Sequence, residues 1–194
     1  MHIENFKLKI ADRSSRGLRA MCKLQLLVLL AGCAAPRVNV PPLPGDLASH
    51  DPNGSGVLAV QVAALRHVLR DWPPQRSAGN DGEPGYAVVL PEGTTDKSYH
   101  RVLSQLPPGS TSDRAAGLPT YTVAQVHMRG PHARVDVIKP DDVGGEQLVS
   151  AFGAIDISGW YIRRSKLWNI PVDQALRITR SAGDETPPSE RGEE

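Results

Sequence analysis

Residues 55–72 place Leu58, Val62, Leu65, Leu69 and Trp72 at spacings of three and four, with Arg66, His67 and Arg70 on the opposite side. That is the period of a helix with one buried stripe. Ser55 stands where a capping side chain is expected, and Pro73-Pro74 stop the helix. Tyr86–Leu90 is an unbroken apolar run closed by Pro91, which predicts a short buried strand. Thr94 or Thr95 before Asp96 marks a second helix start. Tyr99, Val102, Leu103 and Leu106 give that helix an apolar face, and Pro107-Pro108-Gly109 end it. Residues 75–85 and 109–119 have the composition of loops.

From Thr120 the period changes to two. Thr122, Ala124, Val126 and Met128 alternate with Tyr121, Val123, Gln125, His127 and Arg129. Gly130-Pro131-His132 turns the chain, after which Ala133, Val135 and Val137 alternate with Arg134, Asp136 and Ile138. Two alternating runs about a short Gly-containing turn predict a hairpin. Leu148–Ile157 and Trp160–Ile170 extend it to four strands, through turns at 140–145 and at Ser158-Gly159, with a stop at Pro171. Residues 172–178 show no decisive pattern. Helices followed by a run of strands predict an α+β domain, with helices packed on one face of an antiparallel four-stranded meander.

The N-terminal third follows other rules. Leu24–Ala31 is an apolar run of eight residues, too short to span a bilayer, preceded by six basic and two acidic residues. It ends in Leu30-Ala31-Gly32-Cys33. These four residues resemble the lipobox of bacterial lipoproteins. The resemblance implies a signal peptide over 1–32 and a mature chain that starts at Cys33 with lipid, palmitate among its acyl chains, on that cysteine. Two or three acyl chains anchor stably where one does not. Met21 offers an internal start that would shorten the long basic flank. The mature chain would carry sixteen basic and nineteen acidic residues, and Cys33 would be its only cysteine. By the same resemblance, Ala34 after the cysteine implies the outer membrane in a Gram-negative cell. Pro36, Pro41, Pro42, Pro44 and Pro52 predict a semi-rigid tether over 33–54. The domain is then expected at 55–180. Residues 181–194 hold five acidic residues, two prolines and no large apolar group, and are expected to be disordered.

A long helix followed by a meander that ends in a Trp-bearing strand is similar to the cystatin-like/NTF2-like group. That likeness implies a cone whose pocket is lined by Leu58, Leu65, Val126, Val135 and Phe152. The chemistry to fill such a pocket is thin. Two cysteines exclude a disulfide framework, and 22 basic against 21 acidic residues show no net charge that would favour nucleic acid. Phosphate-loop, nucleophile-elbow and His-Glu-x-x-His patterns are missing. His127, His132 and Asp136 have a spacing that Zn²⁺ accepts if the hairpin register brings them to one side; otherwise they are a solvated hairpin tip. Asp141-Asp142 before Gly144-Gly145 lacks the alternating oxygens of a calcium loop and reads as a turn bonded to its own backbone. No pair of acid and base stands out, so no catalytic, cofactor or metal residue is named. Trp160, Arg163, Arg164 and Lys166 form a basic and aromatic strand fit to meet an anionic partner. The reading is a lipid-anchored cell-envelope protein that binds a protein, peptide or small ligand. Its partners are the membrane, through Cys33, and an envelope protein, with no nucleic acid. The alternatives are a small NTF2-like hydrolase or isomerase, and a cytoplasmic protein whose N-terminus has been misread.

Overall fold

The computed structural model describes residues 37–43, 45–74, 85–112 and 118–181. Cys33, the apolar run before it and the acidic tail after Ser181 lie outside them. The fold is α+β: three helices with a seven-stranded, mostly antiparallel open sheet. The strands are β1 (Arg37–Val40), β2 (Tyr86–Val89), β3 (Ser110–Thr111), β4 (Thr120–Arg129), β5 (His132–Pro140), β6 (Glu146–Asp156) and β7 (Gly159–Leu167). The helices are α1 (Ser55–Asp71), α2 (Asp96–Leu103) and α3 (Val172–Ser181). The predicted meander is β4-β5-β6-β7, and β3-β2 continue the sheet beyond β4.

One face of the meander takes α1. Its stripe buries Leu58, Leu65 and Val68 against Val126 and Val135, Val137 and Val149, and Ala151. Tyr86 and Tyr121 meet edge-on, with ring centroids 5.9 Å apart. The Tyr121 hydroxyl donates to the Trp72 carbonyl at 2.8 Å and so satisfies one of the orphan acceptors at the end of α1. At the other end the cap is Gly54, not Ser55, and no side chain bonds to it. Asn53 has turned instead towards the second helix: it accepts from the Thr95 amide and donates to the Gly93 carbonyl. Thr95 caps α2, accepting from the Ser98 amide.

Four expectations are corrected by the packing. The proline-rich segment is not a free tether: β1 pairs antiparallel with β4, from Arg37 opposite Arg129 to Val40 opposite Val126, and Val40 is buried. Arg37–Val40 thus belong to the folded domain. The helices do not share one face, because α3 lies on the side opposite α1, burying Ala175 and Thr179. Leu58, Leu65, Val126 and Val135 line no cone but fill the solid core, whereas Phe152 stands on the α3 side, opposite Arg134 and Arg164. The fourth strand also ends at Leu167 rather than Ile170.

Gln61, on α1, is fully buried, and neither its amide nitrogen nor its amide oxygen has a hydrogen-bond partner. An unmade buried hydrogen bond costs about 1–3 kcal/mol per group. Gln61→Leu removes both groups at similar volume. It is expected to stabilise the fold by about 1 kcal/mol, a rise of about 3 °C in melting temperature. A calorimetric scan that shows a lower melting temperature would refute this.

Candidate functional site

β7 ends the sheet. It pairs with β6 alone, so along its nine residues the second edge has no strand partner among the described residues. The opposite end of the sheet is the two-residue β3. The sequence Gly-Trp-Tyr-Ile-Arg-Arg-Ser-Lys-Leu holds three cations and no acid. Strict alternation would send Trp160, Ile162, Arg164 and Lys166 to one side. The register shifts, however: Ile162 pairs with Gly153 and Arg164 with Phe152, so Arg163 is an extra residue in β7. The bulge changes the parity of the strand. Trp160 and Ile162 pack against the α1 core. Gly153 allows this, since a β-carbon there would lie 3.1 Å from the Tyr161 carbonyl oxygen and 3.2 Å from Ile162 Cδ1.

Each cation lies on a ring. The Arg164 guanidinium stands 4.7 Å from the Phe152 ring, Lys166 Nζ 3.6 Å from Trp168, and Arg163 5.7 Å from Tyr161. Arg163 also donates to the Tyr161 hydroxyl through Nη2 at 3.1 Å. Of the four residues expected to form the binding strand, Arg163, Arg164 and Lys166 thus come together and are exposed, while the half-buried Trp160 belongs to the core. The aromatic members are Tyr161, Phe152 and Trp168. Tyr161 was legible beside the cations in the sequence, but Phe152 comes from the neighbouring strand, opposite Arg164, and only the pairing brings it there.

Inward from this edge the same face is polar. Asp136, opposite Ser150, is fully buried. Ser150 Oγ donates to Asp136 Oδ1 at 2.5 Å and accepts from Trp168 Nε1 at 2.9 Å. Arg134 Nε stands 3.4 Å from Asp136 Oδ2, and Arg134 Nη2 donates to the Thr179 carbonyl of α3 at 2.5 Å. Burial pushes the Asp136 carboxyl above the usual range, against the pull of Arg134, Ser150 and Thr179. Ser150 is itself fully buried, so this pairing offers no reachable nucleophile.

His127 faces Arg134 across the β4–β5 ladder. Its Nδ1 is 2.9 Å from Asn39 Oδ1, and the Asn39 amide nitrogen is committed to Asp46. Nδ1 therefore carries the proton. Nε2 lies 3.0 Å from Gln125 Oε1, two acceptors when the ring is neutral. Half a turn of the Gln125 amide supplies the donor, and Gln125 Nε2 otherwise has no partner. Burial, with Arg134 adding to it, pulls the His127 pKa down to about 4. His132 is exposed at the strand end, and no group of three or more His, Cys, Asp or Glu side chains among the described residues is placed to hold a metal. Asp141 accepts from the Asp142 amide at 2.7 Å, the self-bonded turn expected from composition.

Described residues line two open clefts, among others. One, of about 760 Å³, lies where Val40-Pro41 and Leu90-Pro91 stop short of each other over β4. The other, of about 380 Å³, lies at the C-terminal end of α1 beside Lys139.

The depressed His127 pKa has a defined sign. Between pH 6.5 and about 4 the unfolded chain takes up a proton that the folded chain refuses, so stability falls as pH falls through that window. The contribution is on the order of 2 kcal/mol. His127→Gln keeps a donor and an acceptor but does not titrate. Urea unfolding at pH 7, 5 and 4 should show a shallower decline for this variant; an identical decline would refute the assignment.

No protein-family model, no curated protein and no solved structure matches this chain.

Proposed function

We propose that this chain is a lipid-anchored cell-envelope protein that binds an acidic, extended segment of a partner protein by strand addition to β7. The observation that carries the binding part is the nine-residue edge, without a strand partner among the described residues, with three cations and no acid. Strand addition uses the free backbone groups of an edge for affinity and its side chains for specificity. Here the side chains ask for Asp or Glu at alternate positions. The aromatic supports lower the entropy lost when long cationic side chains are fixed. An added strand lies in the plane of the sheet, whereas α1 and α3 pack on its faces.

The anchoring part is supported by the lipobox at Leu30-Ala31-Gly32-Cys33. Among the described residues no helix is long and apolar enough to cross a membrane. With Ala34 after the cysteine, the outer membrane is the proposed site in a cell with two membranes. The hydrolase or isomerase reading gains nothing from the core, because Leu58, Leu65, Val126 and Val135 close the space a cone would need.

Two experiments separate the parts. Cys33→Ser should move the protein from the membrane pellet to the supernatant; a variant that still pellets removes the anchor. A fluorescein-labelled decapeptide with alternating Glu and Val should bind the full chain at low salt. The triple variant Arg163→Glu, Arg164→Glu, Lys166→Glu should weaken that binding by about tenfold or more, and added salt should weaken the parent but not the variant. Equal anisotropy curves for parent and variant would remove β7 as the site.

A further inference from the structure

β1 fixes where the N-terminal segment meets the folded domain. Arg37 opens β1 opposite Arg129, beside the β4–β5 turn. Cys33 stands four residues earlier in the chain, and four residues of chain span about 14 Å at most. β4, ten residues long, spans about 33 Å. A group bound to Cys33 is therefore held near the end of the sheet that carries Arg37, far from the other end.

The end that carries Arg37 is also where apolar side chains reach the surface. The β6–β7 turn lies there, since Ala154 pairs with both His132 of β5 and Tyr161 of β7. Ile157 on that turn is wholly exposed, and Ile155 and Tyr161 beside it are exposed as well. Leu47, also wholly exposed, stands two residues before Ser49, whose amide donates to the Arg37 carbonyl at 2.9 Å. Single exposed apolar side chains are ordinary, but four of the six large ones exposed among the described residues gather here. Val143 marks the opposite end, on the β5–β6 turn. Arg37, Arg129 and, from the last turn of α3, Arg180 bring positive charge to the apolar end. The acids there are turned to neighbours: Asp46 to Asn39 and the Ala48 amide, Asp156 to the amide and hydroxyl of Ser158.

We infer that this end of the domain, with Leu47, Ile155, Ile157 and Tyr161 at its surface, lies against the headgroup layer of a phospholipid bilayer. This placement rests on the anchor reading for the lipid on Cys33, while the apolar end stands without it. Leu47 and Ile157 enter the boundary of the acyl region, Tyr161 sits at headgroup level, where a ring with a hydroxyl is stable, and the arginines meet phosphates. A second membrane contact strengthens a lipid anchor and gives the domain one orientation. The strands then rise from the bilayer, and the outer edge of β7 stays open to a partner.

The test places an environment-sensitive NBD fluorophore on the chain through Ile157→Cys or Val143→Cys, both on exposed turns. The protein is recovered from the membrane fraction and added to preformed vesicles of phosphatidylcholine and phosphatidylglycerol. The label at 157 should be brighter, shifted to the blue and several-fold less quenched by aqueous iodide than the label at 143. Equal quenching at the two positions, or the reverse order, would overturn the placement. The parent chain, treated alike, reads the anchor separately, because a lipidated Cys33 takes up no label and Cys22 leaves with the signal peptide. A labelled parent removes the anchor. The two labels are then compared on a Cys22→Ser, Cys33→Ser background with the same vesicles: protection at 157 over 143 upholds the docking end, and its absence overturns it.

Discussion

Everything in this fold meets on β4. It is ten residues long, and on one edge it carries two shorter strands in succession. β2 pairs parallel with Thr120–Thr122, and β1 pairs antiparallel with Val126–Arg129. On the other edge it opens the meander with β5, and one face receives α1. Pro41 and Pro91, which donate no backbone hydrogen bond, end the two short strands before they collide. The register of β4 therefore decides where the helix, the meander and both N-terminal strands lie. A slip of one residue would move Val126 out of the core and Gln125 into it.

The register shift between Val123 and Gln125 serves the same end. It lets Tyr121 and Val123, and then Val126, share the α1 side, and it sends Gln125 and His127 to the other. The two faces are consequently held by different forces. The α1 face is a continuous apolar layer whose stabilisation scales with area. The α3 face is held by polar contacts: hydrogen bonds between Asn39 and His127 and from Trp168 through Ser150 to Asp136, and an ion pair from Asp136 to Arg134. α3 itself adds only Ala175 and Thr179 to the buried set. Polar layers of this kind contribute less net stability than apolar ones, but they tolerate few alternative arrangements.

What was legible in the sequence followed from local period. α1 and α2, the β4–β5 hairpin and the meander order could all be read because alternation and three-four spacing persist over many residues there. β1 could not. Its four residues lie in a proline-rich stretch and gain their strand pairing from β4, nearly ninety residues away, with a further bridge to Ser49 on the other side. α3 escaped notice because two small buried residues make no apolar stripe. Ser55 had the right chemistry for a cap, yet the cap position falls one residue earlier on Gly54, and Asn53 beside it ties the second helix instead. In the candidate site the cations and the neighbouring Tyr161 were legible from type alone, but the pairing of Arg164 with Phe152 of β6 was not. Parity along β7 reverses at Arg163, and only pairing with β6 reveals it.

That reversal bears on what the basic strand is for. Edge strands often carry Lys or Arg only to discourage other edges from docking, and for that role a side chain free in water serves well. On β7 the cations are not free. Arg163, Arg164 and Lys166 each rest on a separate ring, and one ring hydroxyl accepts from Arg163. Holding three long side chains costs conformational entropy, of up to about 2 kcal/mol each. The ring contacts return part of that cost. On the proposed strand-addition function the oriented cations return more, because an incoming acidic strand then finds charges already placed. The same bulge that lifts Arg163 out of the ladder leaves Trp160 and Ile162 in the core, so the anchoring of the strand and the presentation of its charges arise from one irregularity in pairing.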